Sequence, residues 1–277
     1  MMIDNDSLRK AQLIEHELLK KFREICTAEG MRYYLLGGTA LGAKRHKGFI
    51  PWDDDIDVGL LREDYDRFVT VAPQYLQEGQ LVEHYSLDES YQDYTMKLSD
   101  ARVRFVTRCG NIQENHHVWI DIFPLDGSPN NRFMRWLHFR RLDFFRMLLV
   151  FHYIAKYSAD NEHPAWRNAL IVLAQHVPIG RLIRPTRMKK ALDREFRRYK
   201  VAGSDLVGNY LGAYHEREFL PLADYGEGTE VEFEGENYIA PKNLDGYLTN
   251  LYGDYMKYPP LEKRVPKHRI VKVIFED

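Results

Sequence analysis

Cysteine is nearly absent from this sequence of 277 residues: Cys26 and Cys109 are the only two, far apart and without CxxC spacing. Neither a disulfide framework nor a zinc ribbon is suggested, and a reducing compartment is the default expectation. An excess of one charge is equally lacking, since 39 lysines and arginines face 41 aspartates and glutamates for a formal net charge of −2. That balance provides no bulk electrostatic hold on nucleic acid, so no nucleic-acid partner is expected and any basic patch has to be local. Long apolar runs are missing too. The nearest approach, residues 144–154, is short and carries Arg146, so no membrane-spanning helix is expected. Residues 1–15 are polar where a secretory leader needs an apolar stretch, which points to a cytoplasmic location.

What is present is ordinary in bulk: 44% hydrophobic and 29% charged residues, the composition of a soluble, enzyme-sized globular chain. Leu8, Leu13, Leu18, Leu19, Phe22 and Ile25 recur at helical spacing over residues 7–29, with Asp4 or Asp6 as cap and Gly30 as stop. Residues 31–36 predict a buried strand running into a turn at Gly37 and Gly38, then a short helix over 40–45. A second strand is expected over 56–60, a helix over 63–72, and strands over 94–98, 103–107 and 118–123. Strands then disappear. Residues 131–157, 164–177 and 187–200 predict three helices, after which a hairpin around Gly235 and a helix over 244–252 return to mixed structure. The expected fold class is therefore α/β (α+β), a mixed sheet flanked by helices, with a catalytic core over 1–130, a helical insertion over 131–204 and a C-terminal segment over 205–277 that completes the site.

The chemistry concentrates in Gly37-Gly38-Thr39 followed by Pro51-Trp52-Asp53-Asp54-Asp55-Ile56-Asp57. A glycine pair between strand and helix lets backbone N–H groups approach phosphate oxygens closely. Asp55 and Asp57, two apart on an expected strand, leave the same face and can converge on one hard cation, Mg2+ or Mn2+, while Ile56 and Val58 enter the core. Phosphoryl and nucleotidyl transfer need such a site, usually with a third carboxylate from a neighbouring strand. Asp121, alternating with apolar neighbours in Trp119-Ile120-Asp121-Ile122-Phe123, is the candidate, because an ionised acid at a core edge is costly unless paired or metal-bound. Asp53 and Asp54 precede the strand and are read as supporting residues. Lys97 and Arg45, the latter beside His46 and Lys47, are candidates for donor phosphate contact, with solvated or snorkelling side chains as the alternative. His116 and His117 lack metal-ligand spacing and are read as structural.

At these residues the sequence resembles the LicD family, whose members include bacterial phosphorylcholine transferases and, more distantly, fukutin-related sugar-modifying enzymes. The resemblance rests on Gly37-Gly38-Thr39, on Arg45 through Asp57, on Asp121-Ile122-Phe123-Pro124-Leu125-Asp126, and on Tyr252-Gly253-Asp254-Tyr255-Met256 with Pro259, Pro260 and His268 downstream. It implies a nucleotidyltransferase-like core, a divalent metal, and a CDP-choline or CDP-alditol donor whose phosphorylated group passes to a hydroxyl of a glycan or lipid-linked glycan precursor. By the same resemblance Tyr252, Asp254 and His268 are candidates for the donor pocket, where tyrosines can also stack on a cytosine ring. Two other functions stay open at this level: a true nucleotidyltransferase with the same metal core, and a non-catalytic nucleotide- or lipid-binding module. Residues 132–151 combine large apolar side chains with five arginines, which reads either as an interfacial helix at the inner face of a membrane or as a buried helix with snorkelling arginines.

Overall fold

The computed structural model describes residues 4–88, 91, 93, 95–109, 112–154, 172, 185–268 and 270–275. Helix α1 (Asn5–Ala28) starts where Asp4 accepts the Ser7 N–H at 2.9 Å, and of the expected stripe it buries Leu8, Leu18, Leu19, Phe22 and Ile25 but exposes Leu13. Strand β1 (Tyr33–Leu35) follows and leads directly into α2 (Gly37–His46). The glycines thus form the first turn of the helix itself, whereas the sequence placed them in a turn before it. The next strand, β2 (Asp57–Leu61), begins at Asp57, so Asp55 lies on the segment entering the strand and not on the strand. Its start is fixed by hydrogen bonds: the Asp57 N–H donates to Thr39 Oγ1 at 2.8 Å, and the Asp57 carbonyl accepts the Leu36 N–H at 2.9 Å.

Helix α3 (Arg62–Val71) and strand β3 (Gln80–Glu83) precede two long strands, β4 (Met96–Cys109) and β5 (Ile112–Gly127). The two short strands expected over 94–98 and 103–107 are a single strand, interrupted only by a register shift between Asp100 and Arg104. Polar residues at that irregularity break the apolar alternation and made it read as a gap. β5 extends the expected strand at both ends, because Gly127 and Asp126 go on to pair with β6 (Leu206–Gly208), which pairs with β7 (Phe219–Pro221). Ordering β1-β2-β5-β4 and then the C-terminal strand Ile270–Phe275 makes a mixed sheet in which, among the described residues, only β2 and β5 run parallel. That parallel register sets Asp57 opposite Asp121.

Helix α4 (Arg132–Ile154) packs against α5 (Pro185–Phe196), and Phe139, Leu142, Leu192, Phe196, Tyr210 and Phe219 form a small core separate from the main one. The helix expected over 164–177 lies outside the described residues. On α4, Phe139 and Leu142 are buried, but Phe133, Met134, Trp136, Leu137, Phe144 and Met147 are exposed. The helix is therefore amphipathic in an unusual sense, with one apolar strip in the core and another facing out. A hairpin of β8 (Thr229–Phe233) and β9 (Glu236–Ala240) turns through Glu234 and Gly235, both at positive φ, as expected around that glycine. It is preceded by the short α6 (Leu222–Tyr225) and followed by α7 (Leu244–Tyr252), whose bounds match the sequence reading; the C-terminal strand is β10 (Ile270–Phe275). Among the described residues no helix is long and apolar enough to cross a membrane.

Candidate active site

A cavity of about 740 Å³ opens between the start of α2, the acid-rich segment before β2, the 209–214 loop, α7 and the 252–268 segment. Asp53, Asp55, Asp57 and Asp121 line it together with Gly37, Gly38, Arg45, Tyr252, Asp254 and His268. Nearly all the residues singled out from sequence therefore share one hollow. Lys97 and Thr39 do not line it. A larger cleft, of about 950 Å³ beneath α1 and beside β3 and β4, is lined by groups that mostly pair with each other, such as Lys20 with Glu17 and Lys21 with Glu24. It offers no converging acids.

The glycines are required by the acids. A Cβ on Gly37 would lie 2.8 Å from Asp57 Oδ2, and one on Gly38 would lie 2.6 Å from Asp53 Oδ2. With hydrogen there instead, both carboxylates come to rest against the first turn of α2, whose unpaired N–H groups and dipole favour negative charge. The Gly37 N–H itself donates to the Tyr247 hydroxyl at 2.9 Å, so this group is not free for a phosphate as the sequence reading required. Thr39 is buried and serves the Asp57 backbone, a structural contact in place of the expected phosphate contact.

Carboxylate oxygens of Asp53, Asp54 and Asp55 come within 4.8 Å of one another. Asp54 is bound on both oxygens: Oδ1 accepts the Lys267 N–H at 3.0 Å and Oδ2 the His268 N–H at 2.9 Å. Burial would raise its carboxyl pKa, but the His268 side chain and these amides hold it below the usual value. His268 is raised in turn by Asp54 against the effect of burial. This pair thus straps the C-terminal segment to the acid-rich segment. Asp121 accepts the Trp119 Nε1–H at 2.8 Å, and Lys97 stacks 4.3 Å from the Trp119 ring centroid while pairing with Asp93 at 2.7 Å. Lys97 is the register partner of Asp121 across β4 and β5, and its charge opposes the rise of the Asp121 carboxyl.

The electrostatics are those of acids forced together. Burial, and then the neighbouring Asp55 and Asp121, push the Asp57 carboxyl well above its ordinary range. Burial and then Asp55 push Asp53 up to about 8, and burial raises Asp121 although Lys97 and Trp119 oppose it. Asp55 Oδ1 is buried and has no hydrogen-bond partner among the described residues. Lys267 Nζ hovers 3.7 Å from Asp53 Oδ1 and 3.6 Å from Asp55 Oδ2, where a cation is attracted. Burial would lower its pKa, but Asp55 and Asp53 hold it above the ordinary lysine value.

Sequence reasoning missed Gln12, Glu15, Lys267 and the 214–218 wall. Gln12 donates to the Asp53 carbonyl at 2.9 Å, and Glu15 is buried behind Asp55 with its carboxyl raised by burial and then by that acid. Both interrupt the buried stripe of α1 between Ala11 and Leu18, and that interruption was the available signal. Lys267 adjoins His268 in sequence and was overlooked. At the rim, Arg45 donates to the Tyr255 carbonyl at 2.8 Å and lies 4.6 Å from the Tyr258 ring centroid; Arg264 lies 5.5 Å from the Trp52 ring centroid. The mouth is thus basic and aromatic, while the floor is acidic.

Residues 30–152 match the family model described as LicD/FKTN/FKRP, nucleotidyltransferase domain. The chain is 31% identical over 272 residues to the lipopolysaccharide cholinephosphotransferase LicD of Haemophilus influenzae, covering 95% of this chain and 96% of that one. It is 30% identical over 120 residues to the ribitol 5-phosphate transferase FKRP of Mus musculus, covering 42% of this chain and 22% of that protein. The α/β fold, the acid-floored cavity and the full-length similarity agree, and the chain belongs to the LicD family of transferases.

Proposed function

We propose that the protein is a divalent-metal-dependent phosphotransferase that moves phosphorylcholine, or a related phospho-alditol group, from a CDP-activated donor to a hydroxyl of a cell-surface glycan precursor. The observation that carries this reading is the floor of the cavity. Four buried or half-buried carboxylates face one space, one oxygen of Asp55 has no hydrogen-bond partner among the described residues, and a lysine ammonium stands over the group. An all-oxygen donor set of this kind fits Mg2+ or Mn2+ and not a soft metal. Asp53, Asp55, Asp57 and Asp121 would hold the ion. When bound, it neutralises phosphate charge and polarises the phosphorus–oxygen bonds.

The chain's own groups supply the rest. The basic mouth, with Arg45 and Lys267, suits the donor phosphates, and Tyr252 and Asp254 wall the space beside them. An acceptor hydroxyl oxygen forms a bond to the phosphorus bearing the headgroup, the bridging bond to CMP breaks, and CMP leaves with the electron pair. The hydroxyl proton passes to a carboxylate of the floor, and Asp121, held by the Trp119 Nε1–H, is assigned this role. The exposed aromatic strip of α4, flanked by Arg132, Arg135 and Arg140, suits contact with an anionic membrane surface carrying a lipid-linked acceptor.

Incubation with CDP-choline or CDP-glycerol, Mg2+ and a glycan acceptor tests the reading. Acceptor-dependent release of CMP is expected. Release of pyrophosphate from a nucleoside triphosphate, with no CMP from either CDP donor, points instead to nucleotidyl transfer. Sedimentation with anionic but not neutral vesicles is expected for the α4 surface.

A further inference from the structure

The wall of the cavity contains, besides Tyr252, a carboxylate that the transfer chemistry does not use. Glu218 closes a single turn just before β7, is 6% exposed, and lines the cavity. Its Oε1 accepts the Tyr214 N–H at 3.3 Å, and among the described residues no lysine, arginine or histidine forms an ion pair with it. Burial drives its carboxyl up to about 7, with only that N–H opposing. The site is shaped for the group: a Cβ on Gly212 would lie 2.3 Å from Glu218 Oε1, so the loop passes over the carboxylate only because residue 212 is glycine.

Aromatic rings complete the hollow. Tyr214 and Tyr252 meet edge to face with centroids 5.2 Å apart and planes at 81°, and both line the cavity with Tyr247. Tyr252 senses both ends of the cavity: Tyr214, then Asp57, Asp53 and Glu218, add to the burial that raises its hydroxyl pKa. Glu218 therefore shares one cavity with the acids of the floor, with Tyr214 and Tyr252 in the same lining.

A buried carboxylate without a counter-charge is expensive, and a permanent cation against ring faces is what offsets that cost. Quaternary ammonium groups, which carry charge and no N–H, are recognised by such rings plus an acid. We propose that Glu218, Tyr214 and Tyr252 form a subsite for a cationic donor headgroup and select a quaternary ammonium over a neutral polyol. This rests on the CDP-donor reading for its place in the reaction, but the subsite itself is defined by cation binding.

Calorimetric titration of the full chain with Mg2+ and either CDP-choline or CDP-glycerol tests it, alongside an NMR titration with tetramethylammonium that needs no nucleotide. The wild-type protein is expected to prefer CDP-choline by about tenfold or more. In Glu218→Gln that ratio should collapse towards one and tetramethylammonium binding should be lost; Tyr214→Leu, at a 40% exposed ring, should weaken both cationic ligands several-fold. Equal weakening of both CDP donors by Glu218→Gln would overturn the proposal and assign Glu218 to the nucleotide, and a wild-type protein that takes up no tetramethylammonium would also overturn it. If neither CDP donor binds but tetramethylammonium does, and Glu218→Gln abolishes it, the donor reading fails and the cation subsite stands.

Discussion

Lys267 Nζ lies 3.6 Å from Asp55 Oδ2, so the acid with an unsatisfied buried oxygen already has a protein cation above it. The lysine side chain is 60% exposed although its ammonium sits against Asp53 and Asp55. An ammonium at this position lessens repulsion among the acids. In Lys267→Met the competing charge is gone, and Mn2+ affinity read by electron paramagnetic resonance should rise about threefold or more. Weaker Mn2+ binding in the variant would instead make the ammonium part of the cation site's support.

Asp57 and Asp121 face each other across the parallel β2/β5 register, and both carboxyls are raised by burial. A carboxyl whose folded pKa lies above its unfolded value costs stability as pH rises above about 4, because the folded state must give up a proton it prefers to keep. At neutral pH without metal, Asp57→Asn and Asp121→Asn should therefore melt higher than wild type. With Mn2+ the order should reverse, and donor turnover should fall by about a hundredfold or more. Scanning calorimetry with and without the ion reads both effects.

Arg62 Nε donates to Asp126 Oδ1 at 2.7 Å with both side chains buried, and Arg62 also reaches Asp193 on α5 at 3.4 Å. The pair ties the end of β5 to α3 and to the helical insertion. Arg62→Met leaves Asp126 buried and uncompensated, which should cost about 3–5 kcal/mol in urea unfolding. The double variant Arg62→Met/Asp126→Leu should recover much of that loss. A single variant as stable as wild type would remove this anchoring role.

His138 on α4 is 4% exposed, its Nε2 has no hydrogen-bond partner among the described residues, and burial, opposed by Glu195, lowers its pKa from 6.5 to about 4. The unfolded chain takes up that proton first. Its contribution to stability is thus complete above about pH 6.5 and is lost progressively as pH falls towards 4. His138→Phe, packed between the Tyr199 and Tyr210 rings, should gain about 2 kcal/mol on wild type when pH is lowered from 7.5 to 5. Paired denaturation curves at the two values check the difference.

Much of the site was legible because its parts are local. Gly37, Gly38 and the run Asp53 to Asp57 declare themselves by residue type and spacing, and Asp121 by being an acid among apolar neighbours. The errors arise where a residue's role depends on what lies across from it. Gly37 reads as a phosphate cradle from its neighbours in sequence, but the Tyr247 hydroxyl from α7 occupies its N–H. Lys97 reads from its charge as a phosphate contact or a snorkelling side chain; the sheet sets it opposite Asp121, over the Trp119 ring and paired with Asp93. The two strands expected over residues 94–107 are one, because pairing with β5 carries the backbone through an irregularity that periodicity treats as an end.

By itself, the sequence determined the chemical inventory: which acids are available for a hard cation, where glycine must replace a side chain, and which stripe of α1 enters the core. These follow from residue type and from the fixed periods of helix and strand. Only the tertiary structure decided which groups meet. The strap from Asp54 to Lys267 and His268, the parallel pairing of Asp57 with Asp121, and the meeting of Glu218 and Tyr252 in one cavity all join segments distant in the chain. Contacts of that kind are set by how whole layers pack, and burial then gives each carboxyl a proton affinity that its neighbours in sequence do not specify.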